Sequence, residues 1–410
     1  MARAGPVPTR VYLPALVLVV GVGPLATDAY LAALPQVQHQ LHTSSTLAQL
    51  TMTAFIVGMA AGQLLFGPIS DGVGRRRMMI VSSAVFAGSS LGCALAPDIA
   101  VLLACRLVQG AAGGCGVALG RAVISDRYDG AEAAKRFGML TSITLLGPVV
   151  APAIGSLILA FGGWRDVFTA LTLVGLLMCA GVALGIPETL APERRQAHGL
   201  GHSLVRMRQM LGVPLFVGTV VVQCLATAGF FVYIGGSSIV LQGQLGIGTS
   251  TYAAVFATNA ALMAVASLVF RFTVARIGPI PLRTAGLAIS SSAAVALLGY
   301  AVVAGHEVAL APTWVLLALL VAGNGLTIPA TTTLAQEIGR HASGTASALQ
   351  GGLTFIAGSL ALPLTGITGH QTVLAMALLS TLLYAASCAA LLVLRRREAR
   401  AEGAIRALTS

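Results

Sequence analysis

Asp28 and Arg106 are ionisable residues that stand inside long apolar segments of the sequence. An ionised side chain at the centre of a lipid bilayer costs about 2.5–3.5 kcal/mol on the scale derived from insertion experiments. A carboxyl group there must face a polar cavity, take up a proton or pair with a cation. We therefore predict that Asp28 couples a protein movement to proton uptake and release. The alternative is a salt bridge that fixes the fold.

Arg106 poses the opposite problem, because a guanidinium group does not lose its proton inside a protein. A buried arginine needs acceptors or an anionic partner. We expect Arg106 either to line a translocation cavity or to tie helices together by bonding backbone carbonyl groups. Gln109 follows on the same helical face at i+3. Whether Asp28 pairs directly with Arg106 is left open by the sequence.

The apolar segments that carry these residues recur along the whole chain. Of its residues, 56% are hydrophobic and only 9% are charged, whereas soluble domains have roughly one-quarter charged residues. About 20 apolar residues cross the hydrocarbon core of a bilayer, and twelve such segments can be marked. They lie at 11–33, 46–68, 78–96, 99–120, 136–160, 166–187, 214–236, 250–271, 282–304, 313–334, 343–368 and 371–394.

The longest polar break between these segments, 188–213, separates two sets of six. We predict an all-α integral membrane protein with twelve transmembrane helices in two six-helix bundles. The bundles are residues 1–187 and, with a short basic tail, 214–410, joined by a cytoplasmic linker at 188–213. A weak internal repeat supports two parallel halves, since Gly74 after the second span aligns with Gly278 after the eighth.

The net charge of +11 and the pI near 10.1 come from arginines that cluster in alternate loops. Arg165 in an outer turn and Arg106 within a span are the exceptions. The positive-inside rule then predicts a multi-pass protein with both termini in the cytoplasm. It also explains the positive charge without nucleic acid, because anionic membrane lipid is the expected partner of these side chains.

Cysteine and histidine residues give no sign of a metal site or of a cofactor. The six cysteines all fall in apolar spans without CxxC spacing, where small packing residues are the simpler interpretation. The seven histidines lie in loops or at span ends in no ligand pattern. A membrane enzyme or channel is disfavoured as well, because no clustered nucleophile and no repeated ring of charges is present. We predict neither metal, cofactor nor enzymatic activity.

The seventh and eighth predicted spans each carry a face of aromatic and amide residues at helical spacing. Apolar and aromatic walls with a few polar groups are typical of a pocket for an amphiphilic small molecule. Helix packing is the alternative for each residue taken singly. The candidates for proton coupling and for the substrate cavity are Asp28, Tyr30, Arg106, Gln109, Gln223, Phe230, Tyr252 and Asn259.

The chain resembles the major facilitator superfamily over essentially its whole length. The segment 67–77 is similar to that superfamily's loop signature between the second and third spans. The resemblance implies that these residues latch helix ends together on the cytoplasmic face and bias one of two access states. The matching residues are Gly67, Asp71, Gly74, Arg75 and Arg76.

Two further segments resemble signatures of the same superfamily. Residues 106–110 match the fourth-span signature, and residues 147–155 resemble the fifth-span signature typical of exporters. In the latter, the prolines remove backbone donors and the glycines permit close approach, so a bent helix is expected. The resemblance favours antiport, and the residues that carry it are Gly147, Pro148, Pro152 and Gly155.

The segments 27–35, 62–68, 187–190 and 344–347 together resemble the Bcr/CflA drug-resistance branch, which includes bicyclomycin and chloramphenicol exporters. The branch shares an acidic residue at the position of Asp28. Ala32 departs from its pattern, where proline is frequent, and Gly72 departs where a basic residue is common. We therefore expect the helix bend beside Asp28 to differ from that of the branch and the latch to be looser.

The resemblance implies proton-coupled efflux of small amphiphilic antibiotics, phenicol- or bicyclomycin-like, by alternating access. The protein would work as a monomer in the bacterial cytoplasmic (inner) membrane. Its partners would be the drug, protons and membrane lipid. The alternative is proton-coupled uptake or export of a metabolite such as a sugar or an organic acid.

Overall fold

The structure is a computed structural model. It describes residues 9–127, 147, 150–190, 205, 207–305, 307–339, 343–366 and 371–409. Within these ranges, the side chains of residues 9–11, 67, 68, 71, 125, 343–345, 347, 348 and 397–409 are outside the description.

The described residues are helical almost throughout and include no strand. We number the long helices by the predicted span to which each corresponds. They are α1 Thr9–Leu31, α2 Ser45–Val73, α3 Arg75–Ala94, α4 Ile99–Arg127, α5 Val150–Phe161, α6 Trp164–Gly185, α7 Pro214–Gly243, α8 Thr249–Ile277, α9 Pro279–Ala304, α10 Leu310–Ile338, α11 Ser343–Ala361 and α12 Val373–Thr409.

Ten of these helices are long and apolar enough to cross a membrane. The other two are α5, whose predicted span lies partly outside the described residues, and α11, which continues as a 3-10 turn over Leu362–Gly366. Every predicted span therefore has a helix at its position, and the predicted fold class of an all-α membrane protein is confirmed. Most of the predicted linker, 188–213, is outside the described residues.

Several helices run beyond the predicted spans. α7 continues to Gly243 and α8 to Ile277, because backbone hydrogen bonding does not stop where the apolar composition does. A short helix, Leu34–Gln40, follows α1 and was not predicted. It buries Leu34 and Val37, so its packing face is only two residues long and gives little periodic signal.

The internal repeat appears as the same backbone break in both halves of the chain. Gly74, between α2 and α3, has φ 104°, and Gly278, between α8 and α9, has φ 82°. Glycine occupies this region without the steric cost that a Cβ atom brings. The aligned glycines therefore end one helix and start the next in the same way.

The chain packs into two compact units. One comprises Met1–Ser203 with Ile247–Ala257, and the other comprises Leu204–Gly246 with Thr258–Ser410. In the first unit, α2 and α4 touch backbone to backbone. A Cβ atom added at Gly58 would collide with the carbonyl oxygen of Leu107, and one at Gly110 with that of Phe55. This close contact brings the Arg106 turn of α4 directly onto α2.

Candidate functional site

The Asp28 carboxyl group is buried in α1, with 8% of its surface exposed. The Thr27 hydroxyl lies 3.0 Å from its Oδ1 atom and 3.0 Å from the carbonyl oxygen of Gly23. A single hydroxyl hydrogen can serve only one of these acceptors at a time. Within the described structure, Asp28 has no ion pair with Arg106. The salt bridge that we gave as the alternative for Asp28 is therefore not observed among the described residues. Within the same residues, the carboxyl group accepts only from a hydroxyl group that it shares with a backbone carbonyl oxygen.

Two glycines of the predicted fifth-span signature allow that segment to pack closely against α1 on either side of Asp28. A Cβ atom added at Gly147 would lie 2.5 Å from the side chain of Pro24. One added at Gly155 would collide with the carbonyl oxygen of Ala29. Pro152 is buried between them, and Pro148 lies outside the described residues. The backbone beside Asp28 is thus covered by close helix contact.

The Arg106 side chain is fully buried and ties three helices together. Its Nη1 atom donates to the carbonyl oxygen of Ala26 on α1 at 3.2 Å and to Oε1 of Gln109 at 2.7 Å. Its Nε atom donates to the carbonyl oxygen of Thr51 on α2 at 3.3 Å. These are the backbone contacts that the helix-tying interpretation of Arg106 requires.

Aromatic rings surround the same guanidinium group. Its central carbon lies 4.3 Å from the ring centre of Phe55, 4.9 Å from that of Tyr30 and 5.5 Å from that of Phe168. A cation is attracted to the face of an aromatic ring, and more strongly where water is absent. The charge of Arg106 is therefore balanced by carbonyl dipoles and ring faces, without a carboxylate among the described residues.

Hydrogen bonds extend this cluster to α3. The Thr51 hydroxyl donates to the carbonyl oxygen of Ala48 at 2.6 Å, so the Tyr30 hydroxyl donates to Thr51 at 2.9 Å. Gln109 donates through Nε2 to the Ser90 hydroxyl at 2.7 Å while its Oε1 accepts from Arg106. Tyr30, Arg106 and Gln109 are thus brought together as predicted candidates. Thr51 and Ser90 were missed, because isolated hydroxyl residues in spans give no distinctive pattern.

The start of α3 is held by a carboxylate that the site prediction did not include. Glu188 accepts from the backbone N–H of Arg75 at 2.9 Å through Oε1 and from that of Arg76 at 3.3 Å through Oε2. The first N–H groups of a helix have no partner within the helix, and negative charge is favoured there. Glu188 was visible in the sequence only as part of the segment 187–190.

The two arginine side chains of the predicted latch reach different helix ends. Arg75 donates through Nε to Oδ2 of Asp126, near the end of α4, at 3.2 Å, and also bonds the Ser70 hydroxyl. Arg76 donates to the carbonyl oxygen of Ala183, near the end of α6, at 2.7 Å. Gly67 and Asp71 lie within α2, and the side chain of Asp71 is outside the description.

The candidates of the second unit fall into two polar clusters. Asn259 donates to the Tyr233 hydroxyl at 3.0 Å, and the ring of Phe230 stacks on Tyr233 with 6.2 Å between centres. Gln223, two turns earlier on α7, accepts from Nε2 of Gln350 at 2.8 Å. Tyr233 was missed, since one tyrosine on an apolar face is indistinguishable from a packing residue.

Tyr252, the remaining candidate, belongs to the first unit. Its ring is buried and lies 6.1 Å from that of Phe256 on the same helix. Across the described residues, no three histidine, cysteine, aspartate or glutamate side chains are grouped so that they could hold a metal ion.

Long apolar helices, a repeated helix break and buried ionisable groups within spans define a multi-span membrane protein of the transporter class. The chain belongs to the Major Facilitator Superfamily, whose family profile matches residues 16–362. The family and the fold are those of transporters, not of enzymes.

Similar proteins include drug-resistance proteins. The chain is 35% identical over 353 residues to the uncharacterized MFS-type transporter YdgK of Bacillus subtilis strain 168, across 84% of this chain and 86% of the relative. It is 27% identical over 352 residues to the bicyclomycin resistance protein homolog of Haemophilus influenzae, across 86% of this chain and 88% of the relative. The predicted resemblance is confirmed.

A solved structure shows the same fold. It is a bacterial homologue of the human lysosomal transporter Spinster, in an inward-facing and occupied conformation. The TM-score is 0.76 with 16% sequence identity, over 96% of this chain and 98% of the other.

Proposed function

We propose that this protein is a proton-coupled exporter of small amphiphilic drugs that works by alternating access in the bacterial cytoplasmic membrane. Similarity to a bicyclomycin resistance protein homolog supports a drug as the substrate. The observation that carries the proposal is the environment of Asp28. It is a buried carboxyl group inside a span, with one shared hydroxyl donor and no ion pair among the described residues.

The coupling step follows from that environment. A proton from the outer side neutralises Asp28, and the drug is released. Loss of the proton to the cytoplasm restores the carboxylate and drug binding. One elementary charge moving across 100 mV yields about 2.3 kcal/mol, which corresponds to roughly a fifty-fold gradient of a neutral drug. One proton per drug molecule is therefore sufficient for resistance.

Arg106 serves in this scheme as a positioning residue. Its bond to the carbonyl oxygen of Ala26 holds α1 two residues before Asp28, and its bond to Thr51 holds α2 against the same turn. The close contact of Gly155 with Ala29 also holds α1 against α5. The carboxyl group then stays at a fixed depth while its proton is exchanged.

The latch residues act at the ends of three helices of the first unit. Glu188 joins the chain after α6 to the start of α3, and Arg75 joins that start to Asp126 of α4. In our proposal, these bonds favour one access state. The predicted positive-inside topology places them on the cytoplasmic side, together with both chain termini.

Substrate contact is assigned to the aromatic and amide candidates. Phe230, Tyr233 and Asn259 combine apolar ring faces with one amide and one hydroxyl group. That combination suits an amphiphilic molecule, which needs apolar walls and a few polar contacts. We propose Gln223 as a further substrate contact of the second unit and Tyr252 as a substrate contact of the first unit.

Transport into everted membrane vesicles tests the coupling. Vesicles with the wild-type protein should accumulate chloramphenicol or bicyclomycin when a proton gradient is imposed. Asp28→Asn should abolish the gradient-driven accumulation. Asp98→Asn is the matched control, because Asp98 is exposed and caps α4 through Val101. Gradient-driven uptake that survives Asp28→Asn would contradict the assignment of Asp28, and a sugar or organic acid as the only substrate would contradict drug export.

A further inference from the structure

An apolar groove of about 320 Å³ runs along the second unit between α7 and α11. Phe216 and Val220 form its buried floor. Its rim includes Leu211, Val221 and Leu360, whose side chains are 48%, 40% and 60% exposed. In a membrane-spanning chain, a groove with an exposed apolar rim at the start of a span opens to lipid.

The chemistry of the lining excludes most small-molecule substrates. Pockets that recognise such molecules place a few convergent polar groups among apolar walls. Here every lining residue is aliphatic or aromatic, apart from the thiol of Cys224. A groove of this kind can hold a hydrocarbon chain, whose binding free energy grows with each buried methylene group.

The length of the groove along α7 is close to the thickness of one leaflet of the bilayer. From Phe216 to Cys224 the α7 backbone rises about 12 Å, which is close to half of the roughly 30 Å hydrocarbon thickness. The groove begins at Leu211, just before α7 starts at Pro214. It therefore lies in the leaflet next to the beginning of α7, which the positive-inside rule predicts to be the cytoplasmic one.

A basic residue precedes that end of the groove in the chain. Arg208 is exposed and lies one helical turn before Leu211. The cytoplasmic leaflet carries anionic lipid, which attracts basic residues near the membrane surface. We propose that the groove between α7 and α11 binds one acyl chain of an anionic phospholipid whose phosphate group lies at Arg208.

Lipid titration of the purified full-length protein tests both parts of this proposal. Phosphatidylglycerol and phosphatidylcholine with identical chains are added in detergent, and their dissociation constants are measured by native mass spectrometry. We expect phosphatidylglycerol to bind about fivefold more tightly than phosphatidylcholine, because one arginine near the anionic headgroups contributes about 1 kcal/mol of binding free energy. Arg208→Gln should remove this preference, whereas Arg276→Gln, at another exposed arginine, should keep it.

Filling the groove tests the acyl-chain site. Ala357 is part of the lining, and Ala357→Trp should weaken both lipids about tenfold or more by displacing two or three methylene groups. The matched control is Leu382→Trp on α12, where the native side chain is 58% exposed and outside the groove. Equal lipid binding by wild type and Ala357→Trp, or equal loss in Leu382→Trp, would overturn the proposal.

A second measurement needs no substitution. Cys224 lines the groove, and Cys179 is a partly buried thiol on α6 outside it. Phosphatidylglycerol should slow the alkylation of Cys224 by a membrane-permeant maleimide and leave Cys179 unchanged. Unaltered labelling of Cys224, or protection by a drug but not by lipid, would show that the groove is not a lipid site.

Discussion

Arg106 of α4 donates a hydrogen bond to the backbone carbonyl oxygen of Ala26, two residues before the buried carboxyl group of Asp28 on α1. The guanidinium group therefore reaches the turn that carries the carboxyl group without pairing with it. The same group also bonds the carbonyl oxygen of Thr51. A cation that holds the backbone can position an acid without fixing its charge, and the proton exchange that we propose for Asp28 requires this.

Replacement of Arg106 by lysine should separate positioning from charge. Arg106→Lys keeps the cation but loses the planar fork that reaches α1, α2 and Gln109 together. Each lost charge-assisted bond should lower the free energy of unfolding by about 1.5–3 kcal/mol. Thermal unfolding in detergent checks this, with Arg165→Lys as the control at a partly exposed arginine whose Nη2 donates to the Ala96 carbonyl oxygen.

Transport by the same variant distinguishes the two interpretations of Arg106. A positioning residue can be replaced by lysine with a slower rate and an unchanged ratio of protons to drug. A changed ratio in Arg106→Lys vesicles would mean that Arg106 takes part in coupling directly, contrary to our assignment.

The sequence predicted the apolar spans and both buried charges, because composition and hydropathy act locally. It indicated backbone carbonyl groups in one of two interpretations of Arg106, but it could not predict which carbonyl groups Arg106 binds. Arg106 donates to the backbone carbonyl oxygens of Ala26 and Thr51, and a residue of any type would provide such an oxygen. Which carbonyl lies within reach depends on how α1 and α2 pack, and that is a property of the folded chain.

Other differences have equally physical causes. The role of Glu188 depends on its meeting the start of α3 from more than a hundred residues away, so no local pattern reveals it. By contrast, the four-residue spacing of Gly58 and Gly62 on α2 and of Gly110 and Gly114 on α4 is typical of close helix packing. The contact of Gly110 with Phe55 agrees with this spacing, because only a residue without a side chain permits it. Sequence patterns therefore predict where helices can approach and leave the polar partners undetermined.

Gly155→Ala should impair transport by pushing α5 away from α1 beside Asp28. The added Cβ atom would meet the carbonyl oxygen of Ala29, which is backbone and cannot rotate away. Gly88→Ala is the matched control within α3, because nothing lies within 4 Å of its Cβ position. Helix propensity alone would make both changes favourable by up to about 1 kcal/mol. Equal, wild-type transport rates for the two variants would refute the role given to the Gly155 contact.

Glu188→Gln should loosen the start of α3. The amide keeps one acceptor oxygen but loses the charge that interacts with the helix N-terminus, an effect of about 0.3–1 kcal/mol. Hydrogen–deuterium exchange at the backbone amides of Arg75 and Arg76 should therefore become faster, by about two- to fivefold. Glu337→Gln, at an exposed position near the end of α10, should leave these amides unchanged. Unchanged exchange in Glu188→Gln would show that the carboxylate does not hold this helix end.

Tyr233→Phe should destabilise the protein mainly because it leaves the buried Asn259 side chain without its hydrogen-bond acceptor. The substitution removes the hydroxyl group to which Asn259 donates at 3.0 Å, within a cluster that is nearly inaccessible to solvent. A buried polar group left without its partner costs about 1–3 kcal/mol, so the midpoint of thermal unfolding should fall. A double-mutant cycle with Asn259→Ala should give a coupling energy of about 0.5–3 kcal/mol. Tyr300→Phe, at a partly buried tyrosine of α9, is the control.

Drug binding, measured by quenching of the native tryptophans, should weaken in Tyr233→Phe and in Asn259→Ala. Additive unfolding effects would mean that the two side chains are not coupled, and unchanged drug affinity in both variants would remove them from the proposed substrate site.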